Sequence, residues 1–395
     1  MKRLLALCVA GLLSAGGASA PAAAYDQLVE KHTFEMPSLT TVGGKTIKQV
    51  RIGWEAYGKL APNKDNVILV THFFSGDSHA AGKYKAEDAA PGYWDAIIGP
   101  GKPLDTDKYY VISSDTLVNL SVKNPTVVTT GPATVDPDTG KPYGMSFPIV
   151  TIRDFVNVQK ALLQSLGITR LEAVAGGSMG SFQAIEWSVA YPDMVKRVIA
   201  VIPAGEADAW TNGWLDIWAS PIRLDPNWNH GDYYGKVEPL AGLTLALRIV
   251  TLHAQSPLRI DKAFDRKWAK EDANPLDSLD NRYAVSAALD TAAAARAKVS
   301  DANHFLYLVR ANELWVAGHG KTLEEGLKQV KAPMLILPAK NDMLLLPDMA
   351  RQVRDLVQAD GGKVEYQEIV GEWGHLDGIV NIAQVGDKIR SFLAK

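Results

Sequence analysis

The sequence predicts a mostly parallel, doubly wound α/β sheet interrupted by an inserted helical subdomain. Three observations carry this. Short apolar runs rich in β-branched residues alternate with helical periodicities. A Gly-Gly-Ser-Met-Gly turn at 176–180 joins one such run directly to a helix. The long stretch 205–330 holds Ala- and Trp-rich helical patterns but no comparable buried strand.

Composition sets the outer limits. The chain has 395 residues, 47% hydrophobic and 22% charged, with 33 scattered glycines, which excludes disorder, collagen and coiled coil. Lys+Arg 41 against Asp+Glu 44 leaves a formal charge of −3 and no basic stripe, so nucleic acid is not the main partner.

Residues 1–24 read as a cleaved export signal. Lys2 and Arg3 form a basic start, Leu4 to Leu13 is apolar, and Ala22-Ala23-Ala24 offers a small-residue cleavage site before Tyr25. The expected location is periplasmic or secreted. The other reading is an uncleaved anchor, but the apolar run is too short to span a bilayer comfortably, and no integral span is expected after removal of the signal. Cys8, the one cysteine, lies within the signal, so the exported chain would have no disulfide, thiolate metal site or cysteine nucleophile.

The core is then 25–204 and 331–395. Val67–Val70, Tyr109–Ile112, Leu171–Ala175, Arg197–Ile202 and Met334–Leu337 suit strands buried on both faces of a parallel sheet. Ile152–Leu166 and Ser181–Tyr191 carry helical patterns between them. A crossover needs only a dozen or so residues, so 205–330 reads as a helical lid insertion.

Chemistry concentrates at Gly176–Gly180, a G-x-S-x-G pattern. The bare pattern is common in a glycine-rich chain; the strand before it and the helix after it give the context of a nucleophile elbow. A tight turn that lifts the Ser178 hydroxyl leaves no room for side chains at 176 and 180. A serine hydroxyl near pH 7 needs a base and a group to orient it. In α/β-hydrolase order the acid follows a late strand and the histidine comes last. His375, in a glycine-flanked loop, is the one histidine of eight in that late region. Asp342 follows Met334–Leu337, whereas Asp348 and Asp355 fall in the next helix. An oxyanion hole requires two backbone N–H groups: that of Met179, and one from Phe73 or Phe74 in the loop Thr71–Gly76.

Gly76-Asp-Ser-His79, Pro91-Gly-Tyr-Trp-Asp95, Ile98-Gly-Pro-Gly101, Thr129-Thr-Gly-Pro132, Thr139-Gly-Lys-Pro-Tyr-Gly144, Thr151-Ile-Arg-Asp154 and Gly176–Gly180 together resemble the homoserine O-acetyltransferase family. The likeness runs from about residue 50 to 205 and returns around Asp342 and His375. It implies an α/β-hydrolase fold with a helical lid, a triad of Ser178, Asp342 and His375, and a ping-pong acyl-enzyme. It also assigns Phe74 as the second oxyanion donor and implies a homodimer packed through the lids.

The sequence also departs from that family. Its first lid helix carries an arginine for the substrate carboxylate; here Leu215 or Ala219 takes that place, and Arg223 lies a turn or more away. The family's His-Asp pair becomes His375-Leu376-Asp377. In place of the arginine, Trp210, Trp214 and Trp218 recur every four residues. They read as an aromatic wall for an uncharged ester, joined by Phe73 and Phe74, or as packing of the lid on itself.

No cofactor or metal is expected. Asp136–Gly140 reads as a turn, His72 and His79 lack metal-like spacing, and there is no phosphate-binding glycine loop. These residues point to an exported serine hydrolase cleaving carboxylic esters of uncharged small or medium acyl groups. An O-acyltransferase using acetyl-CoA is the alternative, and a non-catalytic binding protein the third reading.

Overall fold

The computed structural model describes residues 28–395. The expected export signal lies outside the described residues. Eight strands form the main sheet: β1 (His32–Thr40), β2 (Thr46–Tyr57), β3 (Val67–Thr71), β4 (Tyr110–Ser114), β5 (Ala173–Gly177), β6 (Val198–Val201), β7 (Met334–Leu337) and β8 (Val364–Tyr366). Their spatial order is β1-β2-β4-β3-β5-β6-β7-β8. The pairs β1–β2 and β2–β4 are antiparallel; every pair from β4 to β8 is parallel.

The two-sided burial expected of the parallel strands is observed residue by residue. Val67, Leu69, Val174, Val198, Ala200, Met334 and Ile336 join the core on one face. Ile68, Val70, Ala173, Ala175, Ile199, Val201, Leu335 and Leu337 join the core on the other. Each large aliphatic side chain so buried contributes roughly 1.5–3 kcal/mol against chain entropy. Helix α1 (Ile152–Ser165) starts at a capping box, with Thr151 accepting from Asp154 N–H and the Asp154 side chain accepting from Thr151 N–H.

Two boundaries differ from expectation near the key turn. Strand β5 ends at Gly177, because Gly176 and Gly177 still pair with Ala200 and Val201. Helix α2 therefore begins at Met179 and runs to Ala190, leaving Ser178 as the single residue of the turn. The edge strand β8 is only three residues long, and Ile369 beyond it adds an isolated bridge to Ala339.

Between β6 and β7 the chain forms six α-helices: α3 (Ala209–Leu224), α4 (Leu240–His253), α5 (Pro257–Phe264), α6 (Ala284–Ala297), α7 (Ala302–Glu313) and α8 (Leu323–Leu327). Leu215, Trp218, Ala219 and Ile222 of α3, with Leu243 and Leu247 of α4, share a core with Phe74, Met179 and Phe305. These helices are thus packed onto the carboxyl end of the sheet, where α/β folds place their ligands. Helix α9 (Pro347–Ala359) follows β7 and packs on β8; α10 (Asp377–Val380) and α11 (Gly386–Leu393) end the chain. No helix among the described residues is long and apolar enough to cross a membrane.

Candidate active site

The turn that holds Ser178 is built by its neighbours' lack of side chains. A Cβ on Gly176 would lie 2.2 Å from Thr71 Oγ1, and one on Gly180 would lie 2.1 Å from Thr71 O. Ser178 itself sits at φ 57°, ψ −126°, which for a residue with a side chain costs about 1–3 kcal/mol. The surroundings hold it there. Ser178 N–H donates to Val201 O at 3.0 Å, and Ser178 O accepts from Ser181 N–H (2.7 Å), Phe182 N–H (3.2 Å) and Ser181 Oγ (2.6 Å).

Three loops at the carboxyl ends of β5, β7 and β8 bring the expected residues into one hydrogen-bonded chain. His375 Nε2 lies 2.8 Å from Ser178 Oγ, and His375 Nδ1 lies 2.7 Å from Asp342 Oδ2. A carboxylate only accepts, so Nδ1 carries the imidazole proton, and Nε2 is left to accept from the serine hydroxyl. The other oxygen of Asp342, Oδ1, accepts from the N–H groups of Leu344 (2.8 Å) and Leu345 (3.0 Å). All three side chains are buried. Asp348 lies in α9, in an ion pair with Arg351, and Asp355 pairs with Arg354 in the same helix. The structure brings neither to the imidazole.

Met179 is the first residue of α2, so its N–H has no partner within the helix. Among the described residues, neither Met179 N–H nor Phe74 N–H has an acceptor. The same holds for Phe73 N–H, while Phe73 O accepts from Gly76 N–H and from His72 Nδ1–H. The Phe74 ring is buried, edge-on to Trp218 and Phe305 with centroids 5.5 and 5.4 Å away. The Phe73 ring is half-buried, edge-on to Tyr93.

The three tryptophans occupy different environments along α3. Trp218 is buried against Phe74. Trp214 is half-buried and stacks on His253 with centroids 4.1 Å apart. Trp210 is 56% exposed and touches Trp214 alone among the aromatic rings. The structure does not bring the three together as one wall; only Trp218 meets the loop that carries Phe74. Leu215 and Ala219 are buried in the apolar core, and Arg223 is bound to Asp216 at 2.6 Å on the surface.

Two features beside the site have no signal in the sequence. His253, at the end of α4, places Nε2 3.2 Å from Met343 O, in the loop of Asp342. Its Nδ1 and the Trp218 Nε1 are buried with no hydrogen-bond partner among the described residues. The second is a buried charged cluster below the Phe74 loop. Glu55 on β2 binds Lys31 (2.8 Å), His79 (3.0 Å), Tyr57 OH (2.9 Å) and Tyr84 OH (2.5 Å). Burial alone would raise the Glu55 pKa, but His79, Lys31 and Tyr84 outweigh it and bring it down to about 2. Beside it Asp115 accepts from Ser78 N–H, and Asn119 donates to Gly76 O, so both pin the loop that carries Phe74. Both features join segments distant in the chain, which is why periodicity and spacing miss them. Among the described residues no group of acidic, His or Cys side chains could hold a metal ion.

A mostly parallel eight-stranded sheet in this order, with a serine at the sharp β5 turn and a histidine and an aspartate following β8 and β7, defines an enzyme of the α/β-hydrolase class. Residues 103–381 match the alpha/beta hydrolase fold family. Within that class, the chain belongs to the homoserine O-acetyltransferase family. It is 38% identical over 362 residues to homoserine O-acetyltransferase of Methanococcoides burtonii, covering 92% of this chain and 72% of that protein. The crystal structure of homoserine O-acetyltransferase from Bacillus anthracis superposes with a TM-score of 0.89 at 37% identity, covering 93% of this chain and 98% of that one. The crystal structure of esterase E22 superposes with a TM-score of 0.90 at 51% identity, covering 93% and 100%.

Proposed function

We propose that the protein is a serine hydrolase that cleaves carboxylic esters of uncharged small or medium acyl groups. The observation that carries this is the unbroken chain Asp342–His375–Ser178 at hydrogen-bond distances. Ser178 Oγ attacks the ester carbonyl carbon while its proton passes to His375 Nε2. The carbonyl oxygen becomes an oxyanion held by the Met179 and Phe74 N–H groups, and removal of one such donor is worth about 3–4 kcal/mol in related chemistry. Asp342 stays ionised and steadies the imidazolium. The tetrahedral centre collapses, the C–O bond to the alcohol breaks, and His375 gives its proton to the leaving oxygen. Water then repeats the sequence on the acyl-enzyme, with His375 as base, releasing the acid.

Water is preferred here over an amino-acid alcohol because α3 offers no carboxylate clamp. Leu215 and Ala219 are apolar and buried, and Arg223 is engaged with Asp216. The likeness to esterase E22 supports the same choice. Turnover of p-nitrophenyl acetate that disappears in Ser178→Ala, with fluorophosphonate labelling of Ser178, is the expected result. No turnover, or turnover unaffected by Ser178→Ala, refutes the reading.

The acyltransferase reading is favoured by family membership. It shares every step to the acyl-enzyme, after which a bound alcohol replaces water. Release of free thiol from acetyl-CoA that is faster with an alcohol than with water alone would select it. Export through residues 1–24 supports hydrolysis, since acyl-CoA is not expected outside the cytoplasm. N-terminal sequencing of the secreted or periplasmic protein, expected to begin at Tyr25, tests it. A dimer through the helical insertion fits the exposed Trp210, Ile217 and Leu224 of α3, spaced seven residues apart, and light scattering tests it.

A further inference from the structure

We propose that the α4–α5 junction, residues 253–256, is a positioning clamp that holds the Asp342 loop and the His375 loop at the separation their hydrogen bond requires. The inference rests on the ester-hydrolase reading and adds to it the residues that hold its geometry.

The helical insertion grips both loops from this one short segment. His253 Nε2–H donates to Met343 O, next to Asp342, at 3.2 Å. Ala254 O accepts from Leu376 N–H, next to His375, at 3.3 Å. The buried Ser256 hydroxyl donates to Glu372 O, in the same loop as His375. Helix α5 continues the grip: the Arg259 guanidinium lies 4.2 Å from the centroid of the Trp373 ring, and Lys262 Nζ is 2.6 Å from Glu372 Oε2. Gly374 sits at φ +70°, and a Cβ there would lie 2.7 Å from Ser256 N and 3.2 Å from Asn341 O. The two loops are also tied to each other, since Asn341 Nδ2 donates to Gly371 O at 2.7 Å.

The contacts converge on backbone atoms flanking the two reacting side chains rather than on the side chains themselves. A general base misplaced by about an ångström loses roughly a hundredfold in rate, so a support at both loops acts on the chemical step. His253 suits the task in its neutral form. A carbonyl acceptor fixes its proton on Nε2, and burial, with His375 nearby, keeps its pKa below the ordinary value. Since Trp214 stacks on the same ring, α3 stabilises the orientation of the imidazole.

The test compares two substitutions in the whole chain. His253→Phe keeps an aromatic ring for Trp214 and deletes the N–H to Met343; His253→Gln restores an N–H at similar reach. The expected result is a fall in kcat on p-nitrophenyl acetate of about tenfold or more in H253F, with KM within about twofold, and recovery of most of kcat in H253Q. The far-downfield proton resonance of the His375 Nδ1–H, read without substrate, should shift in H253F and return in H253Q. Unchanged kcat with an unmoved resonance overturns the proposal. So does a raised KM with kcat kept, which makes His253 a substrate contact, or a loss that H253Q does not recover. If H253F fails to fold, Ser256→Ala against Ser256→Thr makes the same comparison at the Glu372 end. Threonine keeps both the hydroxyl and the cap on Arg259 N–H. Wild-type protein without Ser178-dependent turnover would end the ester-hydrolase reading, while the resonance comparison would still decide the clamp.

Discussion

Helix α2 is seated directly on the end of β3: the Cβ that Gly180 lacks would stand 2.1 Å from the carbonyl oxygen of Thr71. That contact is backbone against backbone, so no rotamer change relieves it. Gly180→Ala is expected to cost about 3 kcal/mol or more and to abolish labelling of Ser178, because the turn must open to admit the methyl group. Gly177→Ala is the control within the same turn. Its Cβ would make ordinary contacts, 3.4 Å to Trp94 and 3.6 Å to Ile379, and Gly177 has no positive φ. Thermal unfolding of the two variants should separate them by most of that difference.

Asp342→Asn should leave the fold intact and lower kcat by about 10⁴ with little effect on KM. The Leu344 and Leu345 N–H groups donate to Oδ1, so the asparagine carbonyl takes that side and its NH₂ faces His375. An NH₂ cannot accept from Nδ1–H. The imidazole then carries its proton on Nε2 and has no lone pair for the serine hydroxyl. Steady-state kinetics on p-nitrophenyl acetate, with circular dichroism to confirm folding, checks this.

The buried histidines and Glu55 should each lower stability in acid, in two phases, against an opposing contribution from Asp115, Asp154 and Asp377, whose pKa values burial raises. His72, His253 and His304 have pKa values held down by burial. Above the ordinary histidine range they are neutral in both states. As pH falls below about 6.5 the unfolded chain takes up protons that the folded chain refuses, so stability declines toward the folded pKa values. Glu55 adds the second phase. Its folded pKa is about 2 against 4.5 unfolded, so its contribution is complete above 4.5 and is lost as pH falls toward 2. With the Glu55 side chain buried, that shift corresponds to about 3 kcal/mol. Glu55→Gln should lose a similar amount at pH 7 and flatten the lower phase, as read by urea unfolding across pH.

Much of the centre of this fold was legible because it repeats with a short period. The runs at 67–70 and 334–337 are apolar at every position, and each became a strand buried on both faces. Ser178 was legible because the glycines on either side of it answer a local steric demand. The first two strands were not. β1 is mostly exposed, and its residues are fixed by pairing with β2 rather than by a pattern of their own. His253 and Glu55 were silent for a related reason: their partners lie 90 residues away at Met343 and 24 residues away at His79, and no periodicity encodes such contacts. The tryptophans show the limit of spacing. Four-residue intervals placed 210, 214 and 218 on one helix, but the surroundings of each differ, because every four-residue step turns the side chain by about 40° and the buried face runs through Thr211, Leu215, Trp218 and Ile222.

That difference along α3 yields opposite expectations for its two end tryptophans. Trp210, 56% exposed, should tolerate alanine within about 0.5 kcal/mol and leave the acyl-chain preference unchanged. Trp218 is 4% exposed and edge-on to Phe74 and His253, so Trp218→Ala should cost about 3–5 kcal/mol. Trp218→Phe discriminates further. It keeps an aromatic face against Phe74 and removes a buried Nε1–H that has no acceptor among the described residues, so its stability should stay within about 1 kcal/mol of the wild type or rise. The smaller ring leaves space beside the Phe74 loop. The ratio of kcat/KM for longer p-nitrophenyl esters over the acetate should therefore increase in W218F and not in W210A. A preference that moves in W210A and stays fixed in W218F would place the acyl group at the exposed end of α3 and remove Trp218 from the pocket.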